Sequence, residues 1–204
     1  MKIGIDIDGT ITTPFYWLDF YNKHLNKKIK PKEVNTYDHH LAFNISLDVF
    51  NDFRKKHINE IHELAIPRNK APYYMNKLFF DQHILHLITA REPELKTLTE
   101  NWLRQYHINY HNLYHLGSTQ KTQLALKLGI DVFIEDRLET ALSMIEWQIP
   151  TILFSTPYNQ GFSHPLLIRV DTWEEVFHIL SKMASEEEKS QKLFMLLTNK
   201  LYNM

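Results

Sequence analysis

Short apolar segments alternate with longer amphipathic stretches along most of this chain. The short segments are typical of buried strands, and the stretches between them carry apolar residues at helical spacing. Strands and helices that alternate in this way form a parallel sheet with helices on both faces. We therefore predict an α/β fold with a Rossmann-like sheet. Its predicted strands are residues 2–8, 83–89, 113–116, 132–135 and 151–155.

Residues 14–76 interrupt this alternation, because they contain several helical patterns and no clear strand. A long segment placed directly after the first strand is either a separate helical subdomain or a lid. We therefore expect a small helical cap inserted after the first strand of an α/β core. The predicted division is a core at 1–13 and 77–184, a cap at 14–76, and an amphipathic tail helix at 185–204.

Composition restricts the partners and the compartment of the protein. The chain has 204 residues and no cysteine, which excludes disulfides, thiolate zinc sites and thiol catalysis. A formal net charge of -1 gives no electrostatic basis for binding polymeric nucleic acid or an anionic membrane. No apolar run approaches the ~18 residues of a membrane span, so we expect a cytoplasmic protein. The apolar stripe of the tail is expected to pack on the core or on a second subunit, which leaves a homodimer open.

Acidic, hydroxyl and basic side chains follow the predicted strands or begin the next helix. They are Asp6, Asp8, Thr89, Lys121, Glu135 and Asp136. Functional residues gather beyond the carboxyl ends of the strands in an open parallel sheet, so we expect these side chains to meet. Phosphoryl transfer needs a nucleophile, a cation, donors for the phosphate oxygens and an acid for the leaving group. These residue types supply all four roles.

Each of these residues also has a simpler structural interpretation. The two acidic pairs can be turn or capping residues, and Thr89 can cap the helix that follows it. Lys121 by itself is more often a solvated helix residue. The order and the placement of the whole set favour a catalytic site over these separate interpretations.

The set resembles the motifs of the haloacid dehalogenase superfamily. Residues 6–10 read Asp-Ile-Asp-Gly-Thr, which is similar to the first motif of that superfamily, Asp-x-Asp-Gly-Thr/Val. Thr89 at a strand end is similar to the second motif, Lys121 to the third, and Phe-Ile-Glu-Asp at 133–136 to the fourth. The resemblance implies a phosphatase that works through an aspartyl-phosphate.

The same resemblance implies roles for individual residues. Asp6 would attack phosphorus, and Asp8 would protonate the leaving oxygen and later activate water. Thr89 and Lys121 would bind the phosphate oxygens. Arg91 would either assist phosphate binding or pair with a helix acid.

The resemblance also implies a Mg²⁺ cofactor, which prefers oxygen ligands. The expected ligands are the carboxylates of Asp6 and Asp136 and the backbone carbonyl of Asp8. Glu135 stands where the superfamily more commonly has aspartate. It would either reach the metal through water or orient Lys121.

A closer resemblance is to the 5'(3')-deoxyribonucleotidase-like branch of the superfamily. The similar segments are Ile-Thr-Ala-Arg at 88–91, Phe-Ile-Glu-Asp-Arg at 133–137 and Pro-Tyr-Asn at 157–159. In that branch a helical cap follows the first motif and closes over the site. The resemblance therefore implies hydrolysis of a small phosphate monoester, with a nucleoside monophosphate favoured.

Aromatic residues at the start of the cap bear on the substrate. Tyr16 and Trp17 can face the cleft and stack on a nucleobase, or they can pack in the core of the cap. A phosphatase for a sugar phosphate or another small metabolite is the enzymatic alternative, because the core motifs do not encode the leaving group. A catalytically idle, ligand-sensing descendant of the fold is the alternative from another class.

Overall fold

The computed structural model of the protein describes residues 1–186. Six strands form one sheet, in which every neighbouring pair is parallel. The strands are β1 (Lys2–Ile5), β2 (Ile84–Thr89), β3 (Asn112–His115), β4 (Val132–Glu135), β5 (Thr151–Phe154) and β6 (Leu167–Val170). Their order across the sheet is β3-β2-β1-β4-β5-β6. The predicted α/β fold with a parallel sheet is confirmed.

Eight helices accompany the sheet within residues 1–186, and none of them is both long and apolar enough to cross a membrane. They are α1 (Leu18–His24), α2 (His39–Ala42), α3 (Leu47–Glu63), α4 (Ala71–Phe80), α5 (Lys96–Gln105), α6 (Thr122–Leu128), α7 (Leu138–Glu146) and α8, which is described over 173–186. The leucines on which the predicted tail helix rests lie in residues 187–204, outside the described part of the chain.

The central strand β1 is buried on both faces, which explains its nearly continuous apolar sequence. Ile3 and Ile5 are fully buried, and Ile5 lies in register with Leu87 of β2 and Ile134 of β4. The chain builds outward from β1 through β2 to β3 and then returns to place β4 on the other side. The strand order therefore reverses at β1, and the crevice for a ligand is expected beyond the carboxyl ends of β1 and β4.

Two details of the sheet differ from the sequence-based expectation. Strand β1 ends at Ile5, not at residue 8, because the Ile7 carbonyl accepts hydrogen bonds from the amides of Thr10, Ile11 and Thr12 and forms a turn. Strand β6 was not predicted. It is a short edge strand in which only the two end residues are buried, so it lacks the continuous apolar run of the inner strands.

The helical segment after β1 forms its own apolar cluster. Its buried members are Trp17, Leu18, Tyr21, Val34, Phe43, Phe50 and Ile61. Its two ends are joined by an antiparallel bridge between Thr12 and Pro67 and by a hydrogen bond from the Thr13 amide to the Ile66 carbonyl. We call these paired ends, residues 12–13 and 66–67, the stem of the cap.

Helix α4 lies across the predicted boundary at residue 76. Its buried residues Ala71, Met75 and Leu78 belong to the main apolar cluster of the sheet, not to the cluster of the cap. The helical excursion therefore returns to the core at the stem, before α4 begins.

Candidate active site

Four buried ionisable side chains meet beyond the carboxyl ends of β1 and β4. The Nζ atom of Lys121 donates to Asp6 Oδ1 at 2.5 Å and to Glu135 Oε2 at 2.9 Å. Asp136 follows Glu135 directly, and none of the four residues is more than 4% exposed. The structure thus brings together four residues that the sequence singled out: Asp6, which is the predicted nucleophile, the lysine and the acidic pair.

Backbone geometry fixes this cluster from two sides. The Asp6 amide donates to the Ile134 carbonyl at 3.0 Å, which continues the pairing of β1 with β4 to the residue beyond the strand. Gly9 has a φ of +82°, and a Cβ atom built there would lie 2.0 Å from the Asp136 carboxylate. A residue with a side chain would be strained in this conformation and would also displace Asp136, so the turn requires glycine.

The electrostatics of the cluster are those of a cation site. Burial raises the pKa of Asp6 and of Glu135, although Lys121 opposes the rise in both. Burial and the neighbouring Asp6 raise the pKa of Asp136 to about 7. Burial alone would lower the pKa of Lys121, but Asp6 and Glu135 hold it above its usual value. Lys121 contacts only Asp6 and Glu135 of the three carboxylates, so further positive charge would stabilise their ionised forms.

The donor atoms of the cluster suit a divalent metal ion. Asp6, Glu135 and Asp136 can each offer one carboxylate oxygen, and these oxygens all lie within 4.8 Å of one another. Hard oxygen donors of this kind are the ligands that Mg²⁺ prefers. The residues present therefore fit the magnesium ion that the sequence implied.

Asp8 lies apart from this cluster, in a network that joins the core to the cap. Its two carboxylate oxygens accept hydrogen bonds from Arg91 Nε and Nη2 at 2.8 and 2.7 Å. Oδ1 also accepts from the Tyr16 hydroxyl at 2.8 Å and lies 3.7 Å from His62 Nδ1. Burial opposes ionisation, but the ion pair with Arg91 holds the pKa of Asp8 well below its usual range.

The two members of the ion pair differ in exposure, although both line the cleft between the core and the cap. The Asp8 side chain is 28% exposed, whereas that of Arg91 is 1% exposed. The Arg91 guanidinium also donates to Thr99 Oγ1 at 3.1 Å, behind Asp8. In this arrangement Arg91 is bound to Asp8, not to a helix acid. Its predicted contact with phosphate would have to use the guanidinium N–H groups that these three bonds leave free.

Thr89 lies at the end of β2, beside β1, and is fully buried. Its hydroxyl oxygen accepts a hydrogen bond from the Arg91 amide at 3.1 Å. Because the oxygen accepts this bond, the hydroxyl proton can be donated to another acceptor, which is the property a phosphate-binding threonine needs.

A cleft of about 570 Å³ lies between the cap and the carboxyl edge of the sheet. Asp8 and Asp136 line it from the core, while Tyr16, Trp17 and His62 line it from the cap. A volume of this size holds a ligand such as a nucleotide. The cap therefore covers the candidate site.

Tyr16 and Trp17 differ in their roles within the cap. The Tyr16 hydroxyl contacts Asp8 and His62, so this residue reaches the catalytic edge. Trp17 is 6% exposed and its ring lies 3.8 Å from that of His39, with 31° between the ring planes. Trp17 both packs in the cap and borders the cleft, and its stacking on a nucleobase stays a prediction.

Several residues of the site were not identified from the sequence. The Tyr158 hydroxyl donates a short hydrogen bond to Asp136, and Arg68 Nε donates to the Gly9 carbonyl at 2.9 Å. His62 reaches Asp8 and Tyr16 from the end of α3. Only Tyr158 had a sequence signal, because it lies in the Pro-Tyr-Asn segment that resembles the nucleotidase branch.

Known proteins resemble this chain over nearly its whole length, although no protein-family model matches it. A nucleotidase of Clostridium acetobutylicum is 33% identical over 188 residues, which cover 92% of this chain and 97% of the relative. A Bacillus subtilis protein provisionally named a nucleotidase is 32% identical over 176 residues, which cover 86% of this chain and 91% of that protein.

Solved structures agree with the fold. A haloacid dehalogenase-like hydrolase of Streptococcus pneumoniae superposes with a TM-score of 0.66 at 14% sequence identity. The superposition covers 88% of this chain and 97% of that structure. At this level of identity the match establishes a common fold.

Proposed function

The chain belongs to the haloacid dehalogenase superfamily, as a phosphatase of its nucleotidase-like group, and from this premise we propose that it hydrolyses nucleoside monophosphates through an aspartyl-phosphate on Asp6. The main support for the proposed reaction on Asp6 is the buried cluster in which Lys121 contacts both Asp6 and Glu135. A lysine in this position holds the nucleophile and provides positive charge where the phosphate must bind.

The proposed reaction has two displacements at phosphorus. In the first, an oxygen of the Asp6 carboxylate bonds to phosphorus, the bond from phosphorus to the ester oxygen breaks, and that oxygen takes a proton from Asp8. In the second, water gives a proton to Asp8 and bonds to phosphorus, and the bond to Asp6 breaks to release inorganic phosphate. Asp8, which is ionised in the substrate-free enzyme, takes up the proton for the first step as the substrate binds. It receives a proton from water in the second step and then returns it to solvent, so the protons balance.

A Mg²⁺ ion held by Asp6 and Asp136, with Glu135 beside them, would neutralise charge on the phosphate and orient it when bound. Lys121, which contacts Asp6, adds a further positive charge. Thr89 would donate its hydroxyl proton to a phosphate oxygen. These groups contact features that all phosphate monoesters share, so they do not select the leaving group.

The contact of Arg91 with Asp8 restrains the proton-transfer group. A carboxylate bound to both guanidinium nitrogens is fixed in orientation and held ionised, which is the form that accepts a proton from water. The acid step requires a protonated Asp8, so the ion pair must weaken when substrate enters. We therefore assign Arg91 to positioning Asp8 in the substrate-free enzyme.

The nucleotide assignment draws on two features. Trp17 lines the cleft from the cap side, with its ring 3.8 Å from that of His39, and an aromatic surface there can pack against a base. The relatives at about one-third identity carry the nucleotidase name. Small phosphate monoesters fit the cleft, whereas a nucleic acid polymer would not be enclosed by it.

The direct test is phosphate release from a substrate panel at fixed enzyme and excess Mg²⁺. The panel contains 5'- and 3'-nucleoside monophosphates, sugar phosphates and an aryl phosphate. We expect Mg²⁺-dependent hydrolysis with the highest kcat/KM for a nucleoside monophosphate. A higher kcat/KM for sugar phosphates would reject the nucleotide assignment and keep the phosphatase. No hydrolysis of any member would reject both.

A further inference from the structure

Arg54 is a cationic residue of the cap that borders the cleft and has no acidic partner. It lies in the middle of α3 and is exposed. Among the lysines, arginines, aspartates and glutamates of the cap, only Arg54 and Asp38 line the cleft within residues 1–186. No ion pair joins these two residues, and Arg54 has no hydrogen bond with any other residue of the described chain. No contact within the protein therefore neutralises its charge.

The sequence of α3 keeps acidic side chains away from Arg54. Residues three and four positions apart are neighbours on a helix, and for Arg54 these positions hold Phe50, Asn51, His57 and Ile58. Lys56 differs, because Asp52 precedes it and Glu60 follows it by four positions. None of the acidic residues of α3 lines the cleft; they are Asp48, Asp52, Glu60 and Glu63. The helix thus presents a cation but no acidic residue to the cleft.

The charge of Arg54 acts on cleft residues from other elements of the cap. Burial lowers the pKa of His39 to about 3, and the positive charge of Arg54 adds to this lowering. Burial raises the pKa of Tyr21 to about 12, and Arg54 is the charge that most opposes the rise. Tyr21 belongs to α1 and His39 to α2, and both line the cleft. A charge that acts on both residues lies on the side of α3 that faces the cleft.

Arg54 lies toward the end of the cleft that is remote from the reacting atoms. His62 marks the near end, because its Nδ1 atom is 3.7 Å from Asp8 Oδ1. Arg54 precedes His62 by eight positions on α3, which corresponds to about 12 Å at about 1.5 Å per helical residue. The scissile phosphate would bind at Asp6, so Arg54 is placed for a group at the far end of the leaving group.

The chemistry of a guanidinium group restricts what Arg54 can bind. The group has five N–H donors and no acceptor, and it pairs best with a carboxylate or a phosphate through two parallel hydrogen bonds. Lys121 and the proposed Mg²⁺ ion would meet the charge of the scissile phosphate at the sheet edge, so that phosphate does not require Arg54. A second anionic group is the ligand that complements its charge.

We propose that Arg54 binds a second anionic group, a phosphate or a carboxylate, at the end of the leaving group remote from the scissile phosphate. The inference rests on the proposed function and specifies it, because it divides nucleotides by the charge of the leaving group. A nucleotide that carries such a group is preferred over the same nucleotide without it. Arg54 is thus a specificity-determining residue of the cap.

The test uses pairs of nucleotides that differ only in one anionic group. Adenosine 3',5'-bisphosphate is compared with adenosine 5'-monophosphate, and orotidine 5'-monophosphate, which carries a carboxylate on its base, with uridine 5'-monophosphate. The readout is the ratio of kcat/KM within each pair, with the products identified so that release of either phosphate is counted separately. We expect the more anionic member to be preferred by roughly ten- to a hundred-fold in at least one pair, since hydrogen bonds between charged groups are strong. The pair that shows the preference identifies the second anion as a phosphate on the sugar or a carboxylate on the base.

Substitutions on α3 separate a direct contact from a general effect of charge. Arg54→Leu removes the guanidinium, and the ratio should fall to within about three-fold of unity. Arg54→Lys keeps the charge without the two parallel donors, so the preference should persist at several-fold. Lys56→Leu is the matched control, because it removes the same charge from an exposed position of α3 that does not line the cleft. Its ratio should equal that of the wild-type enzyme.

The outcomes distinguish this inference from the proposed function. Hydrolysis of nucleotides with no preference in either pair would overturn the inference and leave the nucleotidase assignment standing. A preference that survives in Arg54→Leu, or one that Lys56→Leu lowers equally, would overturn it as well. An enzyme that hydrolyses no nucleotide would instead reject the proposed function, and the inference with it. Circular dichroism of the three variants confirms that the ratios come from folded protein.

Discussion

The carboxyl edge of the sheet and the cap face each other across the cleft, but they position their side chains by different means. At the sheet edge, Asp6 follows β1 and Glu135 ends β4, and main-chain pairing of Ile5 with Ile134 fixes the register of these two strands. In the cap, Tyr16 and His62 come from segments 46 positions apart and meet through one hydrogen bond between side chains. The register of the strands therefore determines where the side chains of the sheet edge lie, whereas the packing of helices determines where those of the cap lie.

This difference separates two parts of the proposed activity. In the proposed reaction the groups at the edge would bind the metal and the phosphate, which is common to all phosphate monoesters, so substitutions there should alter the rate with every substrate. The cap packs through its own aromatic cluster and lines the cleft that would hold the leaving group, so most substitutions there should alter substrates unequally. Tyr16 is the exception, because it lies in the cap and contacts Asp8.

The largest effect should come from the centre of the edge. Asp6→Asn removes the proposed nucleophile and a metal ligand, so we expect no measurable turnover of any phosphate monoester. The measurement is phosphate release at saturating Mg²⁺, with thermal unfolding as the control for folding. Substantial turnover by this variant would exclude the covalent mechanism.

Asp8→Asn should have the next largest effect. The variant keeps the backbone carbonyl but loses the acid and base, a contribution that is typically roughly 10²–10⁴-fold in rate. We expect kcat to fall by this amount for nucleotides and for an aryl phosphate alike. An aryl phosphate with a good leaving group needs less protonation, so a smaller loss on that substrate alone would assign Asp8 mainly to the acid step.

Tyr16→Phe tests whether a substitution in the cap can lower the rate with every substrate, as substitutions at the sheet edge should. The change removes one hydrogen bond to Asp8 and retains the ring, so we expect a loss of about five- to ten-fold in kcat. The loss should be similar for nucleotide and aryl phosphate, because Asp8 serves both. Trp17→Phe is the matched control in the cap, and it should lower kcat/KM for the nucleotide more than for the aryl phosphate. Equal losses in both variants would contradict this distinction.

The smallest effect concerns stability and its dependence on pH. The pKa of Asp136 is raised to about 7 in the folded protein from an ordinary value of 3.8, so this group stabilises the fold at low pH, and that stability is lost as pH rises through about 7. Without Mg²⁺, Asp136→Asn should therefore unfold several degrees higher than wild type at pH 8, and this gap should shrink at pH 5.5.

Magnesium provides the control for this last prediction. At pH 8 it should raise the melting temperature of the wild-type protein more than that of Asp136→Asn, because the variant lacks a ligand. Calorimetry with and without the ion measures both differences. A variant that is less stable than wild type at pH 8 without metal would show that the ionised carboxylate of Asp136 does not destabilise the fold.

The sequence predicted the edge far better than the cap. Asp6 and Lys121 could be placed because each follows or precedes an element whose period is visible in the sequence, and parallel strands bring their carboxyl ends together. The contact of Asp8 with His62 could not be predicted, because the two residues are distant in sequence and meet only through the tertiary packing of α3. Strand β6 was missed for a related reason, since an edge strand has no apolar run to identify it.

The stem has a consequence for the ancestry of proteins like this one. Thr12 pairs with Pro67, and Thr13 with Ile66, so the excursion leaves and re-enters the core at a single point. A segment whose ends are already adjacent can be lengthened, shortened or exchanged at little cost in loop-closure entropy. Recombination between these two points would transplant a whole cap and leave the strand register and the acidic cluster as they are. The same sheet edge could in this way be combined with caps that accept different leaving groups, without any change in the edge itself.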